Sequence, residues 1–267
     1  MNNIEKRMQS LLEKGKAEFG ILAVKAEFEA EGTRTDELLR LLEIARRAGV
    51  KVGLKIGGCE AIRDLIECRQ FGVDYVIAPM VETPYALSKY VAGKDKVFSA
   101  EEREDISFLF NVETRLTFDH IDELGKVAQA GKAGFVFGRV DFAGSMGKTR
   151  DFVNSDEMID YVVKVAEIAR DRNLELVVGG GVSPESIEPL RRVRKARLDR
   201  FETRKVIFDA AVLDGDKAAA GMELAIEFEL LWLKNKRDYY GAIAAEDLTR
   251  IEMMEARQKK SAGLVTA

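Results

Sequence analysis

The feature that most limits what this chain can fold into is a joint that recurs along it. An amphipathic helical run closes on a glycine and passes at once into a short apolar run, as in "AGVKVGLKIGG" (Ala48–Gly58) and "FGVDYVIAPM" (Phe71–Met80). Short β-like runs alternating with helical runs mark parallel βα units. Strands are expected at Gly20–Glu27, Lys51–Ile56, Tyr75–Pro79, Ile106–Val112, Gly134–Val140, Leu174–Gly179 and Val206–Leu213. Between them, "TDELLRLLEIARRAG" has apolar positions at helical spacing and Gly49 as its C-terminal cap, while "SDEMIDYVVKVAEIARDRN" opens on Ser155 as N-cap. Seven strands are visible, one short of a TIM (β/α)8-type barrel, yet 267 residues suit the roughly 250 that such a barrel takes. The expected fold is therefore an α/β barrel of this type with additional C-terminal helices. Residues 1–267 are expected to form one domain, since only four prolines occur and no linker-like segment divides the chain.

Composition narrows the partners. A net charge of −4 gives no general affinity for nucleic acid or anionic membrane. The N-terminus "MNNIEKRMQSLLEKGKAEFG" is charged throughout, unlike a signal peptide, and no apolar run nears the ~18–20 residues of a membrane span. Cys59 and Cys68 are the only cysteines, as fits a cytoplasmic protein with two packed thiols. The last stretch, 216–260, reads as two helices with a bend near Gly241. Phe228, Leu230, Leu231 and Trp232 make the first of them apolar over much of its surface, so it must be covered by its own barrel or by another subunit. A subunit contact, and with it a homo-oligomer, is the expectation.

In a parallel barrel the chemistry sits at the C-terminal ends of the strands. Those ends carry Lys25, Glu27 and Glu29 ("AVKAEFE"), Lys55 ("GLKIGG"), Glu82 ("IAPMVETP"), Glu113 ("FNVET"), and Arg139 and Asp141 ("FGRVDF"). Two carboxylates brought together repel unless a cation lies between them or one takes a proton. If Glu113 and Asp141 meet, their hard oxygens suit Mg²⁺ or Mn²⁺, an ion that polarises a 2-keto acid and stabilises its enolate. Otherwise each is an ordinary loop acid capping the next helix. Lys55 admits two further roles: a Schiff-base lysine, should burial lower its pKa, or a salt bridge to Glu27 or Glu113. His120, the single histidine, falls at helical spacing from Leu116 and Leu124 and reads as a helix residue. The glycines of "VVGGGVSPESIEPL" precede a helix start that favours an anion, though such turns are common without ligands. "RRVRKARLDRFETRK" holds eight basic residues in fifteen and reads as a solvated helix face or as a seat for a phosphate-bearing substrate.

"YVIAPMVETPYAL", "FNVETRLTFDHIDEL" and "GFVFGRVDFAGSMG", in this order and spacing, resemble the HpcH/HpaI aldolase/citrate lyase family over roughly Gly20 to Gly181. The resemblance implies a metal-dependent barrel that makes or breaks carbon–carbon bonds next to pyruvate, oxaloacetate or an acyl thioester, and that assembles as a homo-oligomer. It assigns the metal to Glu113 and Asp141. The chain departs from the family in two places. Lys55 stands where the family has an arginine gripping the keto-acid carboxylate, and "KAEFEAEG" lacks the family's basic histidine, so Glu27 or Glu29 would move the proton. Arg139 falls where the family commonly has proline. It joins Glu82, Gly138 and Ser145 as a substrate-binding candidate for a small-molecule carboxylate. A Schiff-base aldolase on Lys55 and a barrel that binds a small anion without catalysis are the competing readings.

Overall fold

The structure is a computed structural model that describes residues 1–265. Eight strands close into one barrel in sequence order: β1 (Ile21–Glu27), β2 (Lys51–Lys55), β3 (Tyr75–Ala78), β4 (Ser107–Val112), β5 (Ala133–Gly138), β6 (Leu176–Gly179), β7 (Arg200–Glu202) and β8 (Val206–Asp209). The helices are α1 (Asn3–Glu18), α2 (Thr35–Ala48), α3 (Ile62–Phe71), α4 (Pro84–Val97), α5 (Glu102–Asp105), α6 (Arg115–Asp119), α7 (Ile121–Gly131), α8 (Arg139–Ser145), α9 (Asp156–Asp171), α10 (Ile187–Arg194) and α11 (Ala218–Val265). Gly49 and Gly72 take positive φ (69° and 63°) as left-handed caps on α2 and α3, and this is why the helix–glycine–strand joint repeats.

Strands β1 to β7 pair in parallel, but β8 runs antiparallel to both β7 and β1. No helix separates β7 from β8; the turn Thr203–Lys205 joins them, held by a hydrogen bond from the Thr203 amide to the Val206 carbonyl (2.9 Å). The strand missing from the expected seven, β7, lies in the basic run, where a helix face was expected. That run divides into the end of α10, a loop, and β7. Strand β7 escapes a search for apolar runs because Arg200 and Glu202 face inward and only Phe201 faces the outer core, stacked on Phe208 at 4.9 Å.

Side chains fill the barrel in layers. At the bottom, Arg200 pairs with Glu175 (2.9 Å) and lies over the Tyr75 ring at 4.5 Å. Above it an apolar plug of Ile77, Leu109, Val136 and Val177 closes the channel. Everything charged on the inner face above that plug belongs to the mouth. Outside, the helices bury the main core, with Leu38, Leu41, Ile44 and Ala45 of α2 and Val162, Val165 and Ala169 of α9 packed on the alternate strand faces.

Helix α11 is continuous where two helices with a bend were expected. Gly241 is exposed and helical, and a Cβ added there would meet nothing, so the residue weakens the helix without breaking it. Phe228 and Trp232 are buried against the chain's own barrel beside α1, whereas Ile226, Leu230 and Leu233 stay exposed. From Ala242 to Ser261 every residue is exposed. The helix runs as far as Val265, and the last two residues lie outside those described. Among the described residues no helix is long and apolar enough to cross a membrane.

Candidate active site

The inward-facing positions at the C-terminal ends of β1, β2, β4 and β7 bring two lysines and four carboxylates together. Lys25 donates to Glu202 at 2.5 Å and lies 3.4 Å from Glu27. Lys55 lies 3.0 Å from Glu29 and 3.7 Å from Glu113. Lys25, Glu27, Lys55, Glu113 and Glu202 are all less than a tenth exposed.

Glu113 is the best-held of these. Its Oε1 accepts the Met80 amide and its Oε2 accepts Asn111 Nδ2, each at 2.7 Å. Met80 presents that amide from a left-handed turn (φ 51°) that ends β3. Burial pushes the Glu113 carboxyl above the usual range, and the charge of Asp141 adds to this. Lys55 and the two hydrogen bonds act against the rise without cancelling it. Asp141 sits in the first turn of α8, exposed, with no hydrogen bond or ion pair among the described residues. The two acids expected to meet are thus close enough for one to raise the pKa of the other.

For the lysines burial works in the opposite direction and loses. Desolvation disfavours the Lys25 ammonium, but Glu202 and Glu27 outweigh it and push its pKa up to about 12. Lys55 is likewise raised, as Glu113 and Glu29 overcome its burial. Both amines are held protonated, so neither meets the condition for a Schiff-base nucleophile. Burial also raises the Glu27 carboxyl, but Lys25 and Lys55 overcome it and leave Glu27 below its ordinary value, hence ionised. Lys205 alone of the rim lysines is lowered, by burial, against the pull of Glu31, to which it is paired; its amine lies 5.8 Å from the centre of the Trp232 ring.

Four other residues were expected at the substrate. Arg139 is fully buried below the rim. It donates to the Gly179 carbonyl (3.1 Å), the Val153 carbonyl (3.2 Å), Asn154 Oδ1 (2.8 Å) and Ser186 Oγ (3.4 Å), and burial drives its pKa down to about 10. With every nitrogen engaged inside the fold it cannot reach a substrate anion, which corrects the expectation. Ser145 is exposed, but its hydroxyl donates to the Phe142 carbonyl (2.7 Å) and accepts the Arg115 amide (2.9 Å), tying α8 to the start of α6. Glu82 is half-buried beside Cys59, whose thiol pKa is raised chiefly by burial and further by the Glu82 charge. Gly138 forms part of the mouth's floor: a Cβ there would stand 3.0 Å from Glu113 Cβ.

The motifs expected to hold anions have other uses. Gly180 has φ 77°, and a Cβ on it would stand 2.6 Å from the amide nitrogens of both Arg139 and Val140, so it is glycine because β6 and α8 pack backbone to backbone there. Arg191, Arg194 and Arg197 flank a groove beside Leu213 and Asp214, at the end of the barrel opposite the mouth. His120 joins α6 to α7 and pairs with Glu123 at 3.4 Å. Sequence reasoning missed Glu202 and Asn111. Both face inward at strand ends, and the one available signal was the alternation in Arg200–Phe201–Glu202.

The donor set fits a hard divalent cation in chemistry. A carboxylate offers about four lone-pair directions, so Glu113 keeps coordinating capacity beyond its two hydrogen bonds, and Asp141 is free. Magnesium is commonly held by one or two carboxylates, with waters and substrate completing its shell. Among the described residues no group of three or more His, Cys, Asp or Glu gathers as a ready-made cage.

A TIM-type barrel whose chemistry is collected at the C-terminal mouth defines the class. The profile of the HpcH/HpaI aldolase/citrate lyase family matches residues 24–181, and the chain belongs to that family. Solved structures share the barrel at low identity. A family protein from Burkholderia cenocepacia J2315 is 12% identical with TM-score 0.61, the match covering 74% of this chain and 82% of that one. An HpcH/HpaI aldolase from Desulfitobacterium hafniense DCB-2 is 15% identical with TM-score 0.60, covering 78% and 84%. A variant of the citrate synthase SbnG is 14% identical with TM-score 0.56, covering 74% and 81%. No curated protein matches the chain.

Proposed function

We propose that the protein is a divalent-metal-dependent carbon–carbon lyase or aldolase acting on a 2-oxo acid of the pyruvate or oxaloacetate type, or on a related β-hydroxy acyl compound. The observation that carries the reading is Glu113, buried at the mouth between the Lys55 ammonium at 3.7 Å and the charge of Asp141. Glu113 and Asp141 would hold Mg²⁺ or Mn²⁺, which when bound supplies the positive charge that polarises a 2-oxo carbonyl. Lys55, held protonated, attracts the substrate carboxylate and neutralises charge that develops on its carbonyl oxygen. It acts as a point charge, where an arginine would offer a two-pronged grip. Gly138 and Gly179 let the Glu113 and Glu202 side chains lie close over β5 and β6. Glu27 and Glu29 each face a lysine and are the sequence's candidates for moving a proton.

Glu113→Gln tests the reading. It should abolish turnover of 4-hydroxy-2-oxo acids and of oxaloacetate with the fold retained, and chelation of the wild type should do the same reversibly. Full activity after exhaustive chelation would refute it. The Schiff-base alternative loses ground because Lys25 and Lys55 are both stabilised as ammonium ions. Borohydride with pyruvate should accordingly trap no adduct. We further propose a homo-oligomer in which the exposed apolar residues of α11, among them Leu230, Leu233, Leu248 and Ile251, are covered by a second copy.

A further inference from the structure

Two acceptor atoms at the mouth are buried and have no protein donor among the described residues: Glu202 Oε2 and Asn111 Oδ1. Glu202 is 4% and Asn111 5% exposed. A buried acceptor without a donor is costly, so a hydrogen-bond donor brought to either atom is favoured.

Both residues border the same floor. Glu113, bonded to Asn111, leans over Gly138, where a Cβ would stand 3.2 Å from Glu113 Oε2. Glu202 leans over Gly179 in the same way, its Cγ 3.0 Å and its Oε1 3.1 Å from a Cβ built there. Gly138 and Gly179 are register partners on β5 and β6, which sets them about 5 Å apart. Glu202 also reaches Lys25 at 2.5 Å although β8 lies between their strands, a contact possible only from inside the barrel. Its Oε1 is therefore engaged with Lys25, and its Oε2 is the buried oxygen left without a donor among the described residues.

We propose that Glu202 is a catalytic residue, the carboxylate that takes the proton from the hydroxyl group of a 4-hydroxy-2-oxo acid as the carbon–carbon bond breaks. The proposal rests on the lyase reading above and assigns the proton transfer to Glu202 in place of Glu27 or Glu29. The O–H proton passes to Glu202 Oε2, and the electrons it leaves form the aldehyde C=O. The C3–C4 bond breaks and its electrons pass into the pyruvate enolate. C3 then takes a proton from water, and Glu202 returns its own proton to solvent. Lys25 fixes the direction of Glu202 through its Oε1. Glu27 and Glu29 then serve to hold Lys25 and Lys55.

The test compares two reactions that share the enolate but differ in the hydroxyl. Cleavage of 4-hydroxy-2-oxopentanoate needs the hydroxyl proton removed; decarboxylation of oxaloacetate does not. Glu202→Gln should lower kcat for cleavage about 10²–10⁴-fold while leaving decarboxylation within about threefold of wild type. Equal loss of both reactions, or unchanged cleavage, overturns the proposal. Should the Gln variant fail to fold, Glu202→Asp keeps the carboxylate with a shorter reach. Cleavage is then expected to fall at least tenfold more than decarboxylation, and a fall in step would be the refuting result. A wild type with neither activity refutes the lyase reading itself, an outcome distinct from any behaviour of the Glu202 variants.

Discussion

Replacing Lys25 with methionine removes the cation that two buried carboxylates share. Glu202 is 4% and Glu27 8% exposed, and their contacts to Lys25 are 2.5 and 3.4 Å. The rise of the Lys25 pKa from 10.5 to about 12 corresponds to about 2 kcal/mol of favourable interaction. Truncation also strands the two carboxylates, and breaking a buried pair in this way typically costs about 3–5 kcal/mol. For a chain of this size each kcal/mol lowers Tm by about 2–4 °C, so Lys25→Met should melt about 6–20 °C below wild type near neutral pH. The sign of the pH dependence follows from linkage. A raised lysine pKa gives stability that is complete below its unfolded value of about 10.5 and is lost as pH climbs through about 12. In the variant the stranded carboxylates are costly only when ionised, so its deficit should shrink as pH falls below about 5. Urea unfolding at pH 8 and pH 4, followed by circular dichroism, measures both. A deficit under about 1 kcal/mol, or one equal at the two pH values, would refute the argument.

Arg139→Met should cost about 2–3 kcal/mol, because the carbonyls of Gly179 and Val153 and the Asn154 amide oxygen lose their donor, while KM for the 2-oxo acid stays unchanged in the folded fraction. A raised KM with an unchanged melting curve would restore Arg139 to the substrate site. Gly180→Ala should destabilise by about 2–4 kcal/mol, since alanine at φ 77° is strained and its methyl would press on two amide nitrogens. A variant that melts with wild type would mean that β6 and α8 pack less closely than described.

Most of the barrel was legible because β1 to β6 are buried on both faces and read as near-continuous apolar runs beside glycine-capped helices. Strand β7 failed that criterion for a chemical reason: its inner face meets the salt bridge at the bottom of the barrel and the charged mouth at the top, so two of its three residues are ionic. The direction of β8 was invisible for another reason, since a two-residue period is the same whichever way a strand runs. The site divided along the same line. Lys55, Glu27 and Glu113 were found by reading strand ends, and Glu202 was missed because its strand was missed. Arg139 misled because a charge at a strand end reads as solvent-facing, while here the backbone carbonyls around β6 satisfy it internally. In α11 a single glycine was given the weight of a break, although the flanking helix formers carry the helix through it.

The balance of charge in the mouth limits which chemistry these residues can perform. Glu27, Glu29, Glu113 and Glu202 form ion pairs with just two ammonium ions, Lys25 and Lys55, an excess of carboxylate that Arg204 and Lys205 lessen at Glu27. Each lysine is therefore bound as an ammonium ion, and an amine so held is a poor nucleophile and a poor base. Burial raises the Glu113 carboxyl and the charge of Asp141 adds to it, so that acid holds its proton to higher pH than an exposed glutamate would. A hard divalent cation beside Glu113 and Asp141 would relieve the same excess without a proton and leave both acids ionised. Proton transfer from the substrate hydroxyl is then assigned to Glu202, whose Oε1 pairs with Lys25 and whose buried Oε2 has no donor among the described residues.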